Sequence, residues 1–220
     1  MGELLEALGR ERAVAILRTP DETAVRPALE AVVEAGFRFV EITLNTPRAL
    51  EAARWLASLP DVVAGMGTVL EPDDVRRAHD AGVRFVVSPV FDPRVVSTAL
   101  ELGLVPIPGT FSPTEMLAAF RAGAPIQKLF PAPSEGPEFV RALLGPMPFL
   151  RILPTSGVTL ENAPAFLEGG AFAVGFVRAL FVPEELRPAR SRAWASARAR
   201  LSLGFVPRGG QSKSGAVGCS

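Results

Sequence analysis

The 220-residue sequence predicts a single (βα)8 barrel of the TIM type, and three observations predict it. Eight short apolar or β-branched segments each lead into a helical pattern. Helix-start signals open several of those patterns. Ala-Gly or Gly-Gly pairs close them and recur about every 40 to 47 residues, the length of two βα units.

The predicted strands lie near residues 13–17, 37–44, 62–65, 84–88, 104–107, 126–130, 150–153 and 172–176. Helix starts are read at Thr-Pro-Asp-Glu (19–22), Glu-Pro-Asp-Asp (71–74), Ser-Pro-Thr-Glu (112–115) and Thr-Leu-Glu-Asn (159–162). The stops are Ala35-Gly36, Ala81-Gly82, Ala122-Gly123 and Gly169-Gly170, where Gly takes the left-handed conformation that ends a helix. AGFRFVEITL (35–44) echoes AGVRFVVSPV (81–90), so a solenoid competes. Eight βα units with nearly continuous apolar strands favour a closed parallel sheet buried on both faces. A flavodoxin-like doubly wound sheet is the structural alternative, but it needs only five or six strands. The predicted domain spans residues 1–203, with a short N-terminal helix and an Arg- and Ala-rich C-terminal helix from about Val182 to Leu203; residues 204–220 read as a flexible tail.

Composition removes several chemistries. The chain is 48% hydrophobic with a formal net charge of zero, enough apolar content for one core. It lacks basic runs interleaved with aromatics, so no nucleic-acid partner is expected. No apolar stretch approaches the roughly 20 residues that cross a bilayer, so no membrane partner is expected either. The opening MGELLEALGRERAVAIL does not read as a signal peptide, and a cytoplasmic location is expected. One His, one Cys and no Tyr leave no plausible zinc ligand set, and no metal or other cofactor is expected. His79 reads as a surface helix residue, and Cys219 lies next to the end of a polar tail, without the surroundings that activate a thiol. A soluble protein acting on a small molecule is expected.

Lysine carries the opposite signal. There are 21 Arg but only two Lys, and Lys213 falls in the tail, so Lys128 stands alone in the folded body. A chain that uses Arg almost everywhere has kept Lys within Ile126-Gln127-Lys128-Leu129-Phe130. A solvated charge can as well be Arg; a nucleophilic amine cannot, because guanidinium stays protonated. In a barrel the active site sits at the C-terminal ends of the strands. Those ends offer Arg18, Glu41 and Asn45, Gly65-Met66-Gly67-Thr68, Lys128, Pro154-Thr155-Ser156-Gly157 and Gly175-Phe176-Val177-Arg178. Gly65-x-Gly67 lacks the third Gly of a dinucleotide fingerprint and reads as a tight turn presenting Thr68.

Glu41 and Lys128 both fall within otherwise apolar strands, and strand alternation allows both to face inward. A buried ion pair is the structural reading. The chemical reading uses the same burial: desolvation favours the neutral amine, which can attack a ketone, while Glu41 moves protons. Ser156, Gly157, Gly175 and Arg178 are candidate anion ligands after strands 7 and 8.

These residues resemble a known family. GFRFVEITLNTPRAL, GMGTVLEPDDV, AGVRFVVSP, PIPGTFSPTE, IQKLFPA and LPTSGV occur in the order and spacing of the 2-keto-3-deoxy-6-phosphogluconate (KDPG) and 4-hydroxy-2-oxoglutarate aldolases, from about Ala13 to Phe181. The resemblance implies a class I aldolase that cleaves KDPG reversibly to pyruvate and glyceraldehyde 3-phosphate, with Lys128 as Schiff-base lysine and Glu41 as general acid/base. It implies that Thr68 contacts the pyruvate carboxylate, that Pro89 and Phe130 line the pocket, that Thr155, Ser156 and Gly157 hold the distal end of the substrate, and that the protein is a homotrimer. Arg18 matches a basic residue of some members and is expected to bind an anionic group. Three positions depart from the pattern. Asn45 stands where many members have the carboxylate-gripping Arg, Ser156 where they have Gly, and Val177-Arg178 where they have Gly-Ser. Phosphate is then held through Arg178, or preference moves toward an unphosphorylated aldehyde such as glyoxylate, giving 4-hydroxy-2-oxoglutarate as substrate. Two further readings compete: a sugar-phosphate isomerase on the same barrel, and a non-catalytic barrel that binds a 2-oxo acid or phosphate.

Overall fold

The computed structural model describes residues 1–181. The C-terminal helix and tail expected beyond Phe181, Cys219 included, lie outside the described residues. Among these, helices α1 (Gly2–Glu11), α2 (Glu22–Glu34), α3 (Ala49–Ala57), α4 (Pro72–Asp80), α5 (Pro93–Glu101), α6 (Pro113–Arg121), α7 (Gly136–Leu144) and α8 (Ala163–Glu168) alternate with parallel strands. The strands are β1 (Ala13–Leu17), β2 (Phe39–Thr43), β3 (Val63–Gly67), β4 (Phe85–Val87), β5 (Val105–Ile107), β6 (Gly109–Thr110), β7 (Gln127–Leu129), β8 (Ile152–Pro154) and β9 (Val174–Phe176).

The caps read from the sequence are made in the structure. Asp21 accepts from the Thr23 N–H at 2.9 Å to start α2, and Ser112 with Glu115 forms a reciprocal box at α6. At α8, Asn162 and Thr159 exchange bonds of 2.7 and 3.2 Å. Gly36 and Gly82, each at φ +82°, end α2 and α4 as their Ala-Gly pairs predict. His79 lies exposed on α4, 3.3 Å from Asp80.

A curled six-stranded parallel sheet runs in the order β5-β4-β3-β2-β1-β9, and a three-stranded parallel sheet runs β6-β7-β8. The strand predicted at 104–107 appears as Val105–Ile107, paired with β4, and beyond Pro108 a further short strand that the sequence did not predict, Gly109–Thr110, pairs with β7. Proline has no N–H to donate to a ladder. On the far side a single bridge joins Thr155 to Gly175.

Two cores sandwich the strands. Ala15, Leu17, Val40, Ile42 and Leu129 face the helices. Their alternating neighbours Val14, Ile16, Phe39, Phe85, Val105, Ile126 and Leu153 face one another on the inner side, joined by Leu4 and Leu8 of α1. Alternation places Glu41 on the inner face with Phe39, and Lys128 on the inner face with Ile126. The apolar inner cluster fills the lower strands and leaves these two charges above it.

The Gly65-x-Gly67 segment is not a turn. Both glycines belong to β3, paired with Glu41 and Thr43 of β2. The turn begins one residue later, at Thr68, whose φ is +59°.

Candidate active site

Glu41 sits at the middle of β2, paired to Ile16 on one side and Gly65 on the other. It is 1% exposed, and its Oε2 has no hydrogen-bond partner. Lys128, 4% exposed, sits at the middle of β7 between Gly109 and Leu153. Its backbone is pinned from two directions: the amide donates to the Pro108 carbonyl at 2.9 Å, and its carbonyl accepts from Thr110 Oγ1 at 2.9 Å. The Nζ lies 4.5 Å from the centre of the Phe130 ring.

Burial dominates both titrations. Desolvation pushes the Glu41 carboxyl up, with Lys128 and then Arg18 pulling it back. Desolvation pushes the Lys128 amine down; Glu41 opposes that shift and Arg18 reinforces it. Two charged forms in a dry interior are each costly, so both groups move toward neutrality, and their protons come off as properties of the pair. The described residues contain no direct Glu41–Lys128 salt bridge within 4.0 Å, so the buried ion pair read as the structural alternative is not formed. A neutral amine beside a carboxyl of raised pKa is the condition for nucleophilic attack assisted by proton transfer.

Lys128 opens onto a cavity of about 770 Å³. Arg18, Phe130, Thr155, Ser156, Gly157 and Arg178 share its wall, which gathers most of the residues singled out in the sequence. Gly175 stands behind Thr155: a Cβ added there would meet Thr155 Oγ1 at 2.6 Å. That hydroxyl is buried and has no hydrogen-bond partner. Thr68 reaches the site through Arg18, whose guanidinium donates to Thr68 Oγ1 at 3.5 Å. Glu41, Thr68 and Gly175 lie behind the cavity wall rather than in it, and Asn45 and Pro89 do not line it either. Asn45 is exposed in the turn after β2, and the Pro89 carbonyl is packed against Gly109 instead.

Apart from Val177, the far wall was not anticipated in the sequence. Val158, Leu160 and Val177 give it an apolar side, with Thr159 and Glu161 beside them. The only signal for Val158, Thr159, Leu160 and Glu161 was position, in the loop before α8. Gly67 was also misread. A Cβ placed there would overlap Glu41 Oε1 and come within 2.8 Å of the Glu41 carboxyl carbon, so the carboxylate occupies the space of the missing side chain. A Gly at an inward strand position next to an inward Glu was the available signal. Among the described residues no group of three or more His, Cys, Asp or Glu side chains could hold a metal ion. No helix among them is long and apolar enough to cross a membrane.

Comparison with known proteins defines the class as a lyase, an aldolase. The chain belongs to the KDPG and KHG aldolase family: the model of that family, described as "Aldolase: KDPG and KHG aldolase", matches residues 5–189. The 2-dehydro-3-deoxy-6-phosphogalactonate aldolase of Escherichia coli K12 is 34% identical over 173 residues, 74% of this chain and 80% of its own. The 2-dehydro-3-deoxy-phosphogluconate aldolase of Pseudomonas aeruginosa is 36% identical over 166 residues, 74% and 76% of the two chains. Among solved structures, a KDPG aldolase from Legionella pneumophila with pyruvate captured at low pH as a covalent carbinolamine matches with TM-score 0.77 and 25% identity, over 92% of this chain and 98% of that one.

Proposed function

We propose that Lys128 is the Schiff-base lysine and Glu41 the general acid/base of a reversible cleavage of KDPG to pyruvate and glyceraldehyde 3-phosphate. The observation that carries the reading is the buried lysine: its amine, pushed toward neutrality, opens onto a space large enough for a six-carbon sugar acid, and the carboxyl of Glu41, buried behind that wall, is near enough to oppose the shift. The Lys128 amine attacks the C2 carbonyl to give a carbinolamine, and loss of water gives the iminium. Glu41 accepts the proton of the C4 hydroxyl as the C3–C4 bond breaks; its electrons pass into the iminium, leaving an enamine and releasing the aldehyde. Protonation at C3 and hydrolysis then release pyruvate and free Lys128.

Arg18, held beside Thr68, anchors the pyruvate carboxylate with Thr68 and does the work of the cation that Asn45 does not supply. Phe130 packs on the reacting end, and Pro89 supports it from behind Gly109. Thr155, Ser156, Gly157, Gly175 and Arg178 receive the distal end. The Ser156 side chain and Val177-Arg178 in that wall favour one second reading, in which glyoxylate is the preferred aldehyde and 4-hydroxy-2-oxoglutarate the substrate.

The same reading takes residues 1–203 as one domain whose eight strand positions close a (βα)8 barrel. The continuity of β5 and β6 through Pro108 and the Thr155–Gly175 bridge support it. It also takes the enzyme as cytoplasmic, as the opening of the sequence reads, and homotrimeric, as the family resemblance implies.

Incubation with pyruvate and borohydride is expected to leave a reduced adduct on the peptide carrying Lys128, read by mass spectrometry. Retained aldolase activity with that peptide unmodified would overturn the assignment.

A further inference from the structure

We propose that Gly67 is a positioning residue: the space left by its missing side chain is the seat that holds the Glu41 carboxylate for proton transfer. The inference rests on the acid/base reading of Glu41 and adds how that group is held in place.

Buried carboxylates are ordinarily fixed by hydrogen bonds from their surroundings. Glu41 is not: Oε2 is buried and unpartnered. What fixes it is shape. In β3 two successive inward positions are glycine, and each vacancy is filled from a different neighbour. The Phe85 ring fills the space beside Gly65, closing the apolar inner core below. The Glu41 carboxylate fills the space beside Gly67, where an added methyl would overlap Oε1, come within 2.8 Å of the carboxyl carbon and meet Thr43 Cγ2 at 3.1 Å. Glu41 pairs in register with Gly65, yet its carboxylate reaches the Gly67 level, one inward position nearer the C-terminal ends of the strands. The seat thus sets the height of the carboxylate along β2. It does so without donating a hydrogen bond, so no protein donor ties up Oε2.

Gly67 has no positive φ and lies in regular strand, so alanine strains no backbone there. The atoms it would overlap belong to the free end of the flexible Glu41 side chain, while Thr43 Cγ2 at 3.1 Å is a tight contact with a stiffer neighbour. Gly67→Ala therefore moves the carboxylate without removing it. Displacement of a catalytic group by about 1 Å costs on the order of 100-fold. The expected result is a fall in kcat of about that size, with borohydride trapping of pyruvate on Lys128 changed less than about threefold. The acid limb of the kcat/KM profile is expected to move down toward the ordinary carboxylate range, because the displaced group is less desolvated. In Gly67→Ala/Glu41→Asp the shorter acid no longer meets the methyl, so the double variant is expected to be no worse than the poorer single.

Unchanged kcat in Gly67→Ala, or a lower kcat with the acid limb unmoved, would overturn the proposal. If Gly67→Ala does not fold, folding of the double variant upholds the clash with Glu41, and failure of both overturns it. Glu41→Gln separates the two levels of the reading. Loss of turnover in Glu41→Gln with wild-type behaviour in Gly67→Ala removes only the seat, whereas full turnover in Glu41→Gln removes the acid/base role and the seat with it.

Discussion

The two ends of the cavity are built differently. At the Lys128 end the functional side chains stand in the middle of β2 and β7, buried, with backbones fixed by strand ladders on both sides. At the distal end they stand in the loops after β8 and β9. There Ser156 has φ +64°, Gly157 φ +96°, and Arg178 is exposed. At the first end burial shifts proton affinities by desolvation. The family departures Ser156, Val177 and Arg178 fall in the second. The strand interior thus fixes the bond-making chemistry, and the loops choose what is attached to it, in keeping with loops carrying specificity on a rigid scaffold.

The contrast can be broken most forcefully at Glu41. Glu41→Gln is expected to lower kcat by about 10²- to 10⁴-fold, the range of general acid–base groups, with pyruvate binding much less affected. Steady-state kinetics beside trapping by pyruvate and borohydride would check it. Equal loss of both would make Glu41 a structural residue. At the other end the effect is smaller and selective. Arg178→Ser is expected to lower kcat/KM for KDPG by about 10-fold relative to 4-hydroxy-2-oxoglutarate, about 1.4 kcal/mol, since an exposed cation on a phosphate is screened by solvent. An unchanged ratio would detach Arg178 from the phosphate and favour the glyoxylate reading.

Thr155 sits on the border between the two ends and sharpens the comparison most finely. Its buried hydroxyl lacks a partner in the protein. A buried unsatisfied hydroxyl is a cost of order 1 kcal/mol, so Thr155→Val is expected to leave stability in denaturant unchanged or raise it by up to about 1 kcal/mol. A loss of stability of that size would mean the hydroxyl is satisfied without substrate.

The strand end of this contrast was also the legible one. β1 falls at 13–17 as read, because Ala-Val-Ala-Ile-Leu is bounded by charge on both sides. The helix starts at Asp21 and Ser112 follow from side chains that accept from the backbone N–H groups of their own first turns, and the one at Asn162 from its exchange of bonds with Thr159. Lys128 and Glu41 stood out because a charge inside an apolar strand is costly without a reason. What the sequence concealed depended on space between strands. Gly65-x-Gly67 looked like a turn because glycine is a poor strand former; that Phe85 and Glu41 fill the two vacancies is a packing fact with no local pattern. The extra strand after Pro108 and the absence of Glu41, Asn45 and Pro89 from the cavity wall are likewise set by neighbours distant in the chain.

The most direct test of the central claim is the pH dependence of borohydride trapping of pyruvate on Lys128. Only the neutral amine attacks, so the trapping rate is expected to rise with pH and level off at a midpoint below 10.5, the ordinary value from which burial lowers this amine. A rate still climbing at that ordinary value, or an adduct formed on a residue other than Lys128, would contradict the account.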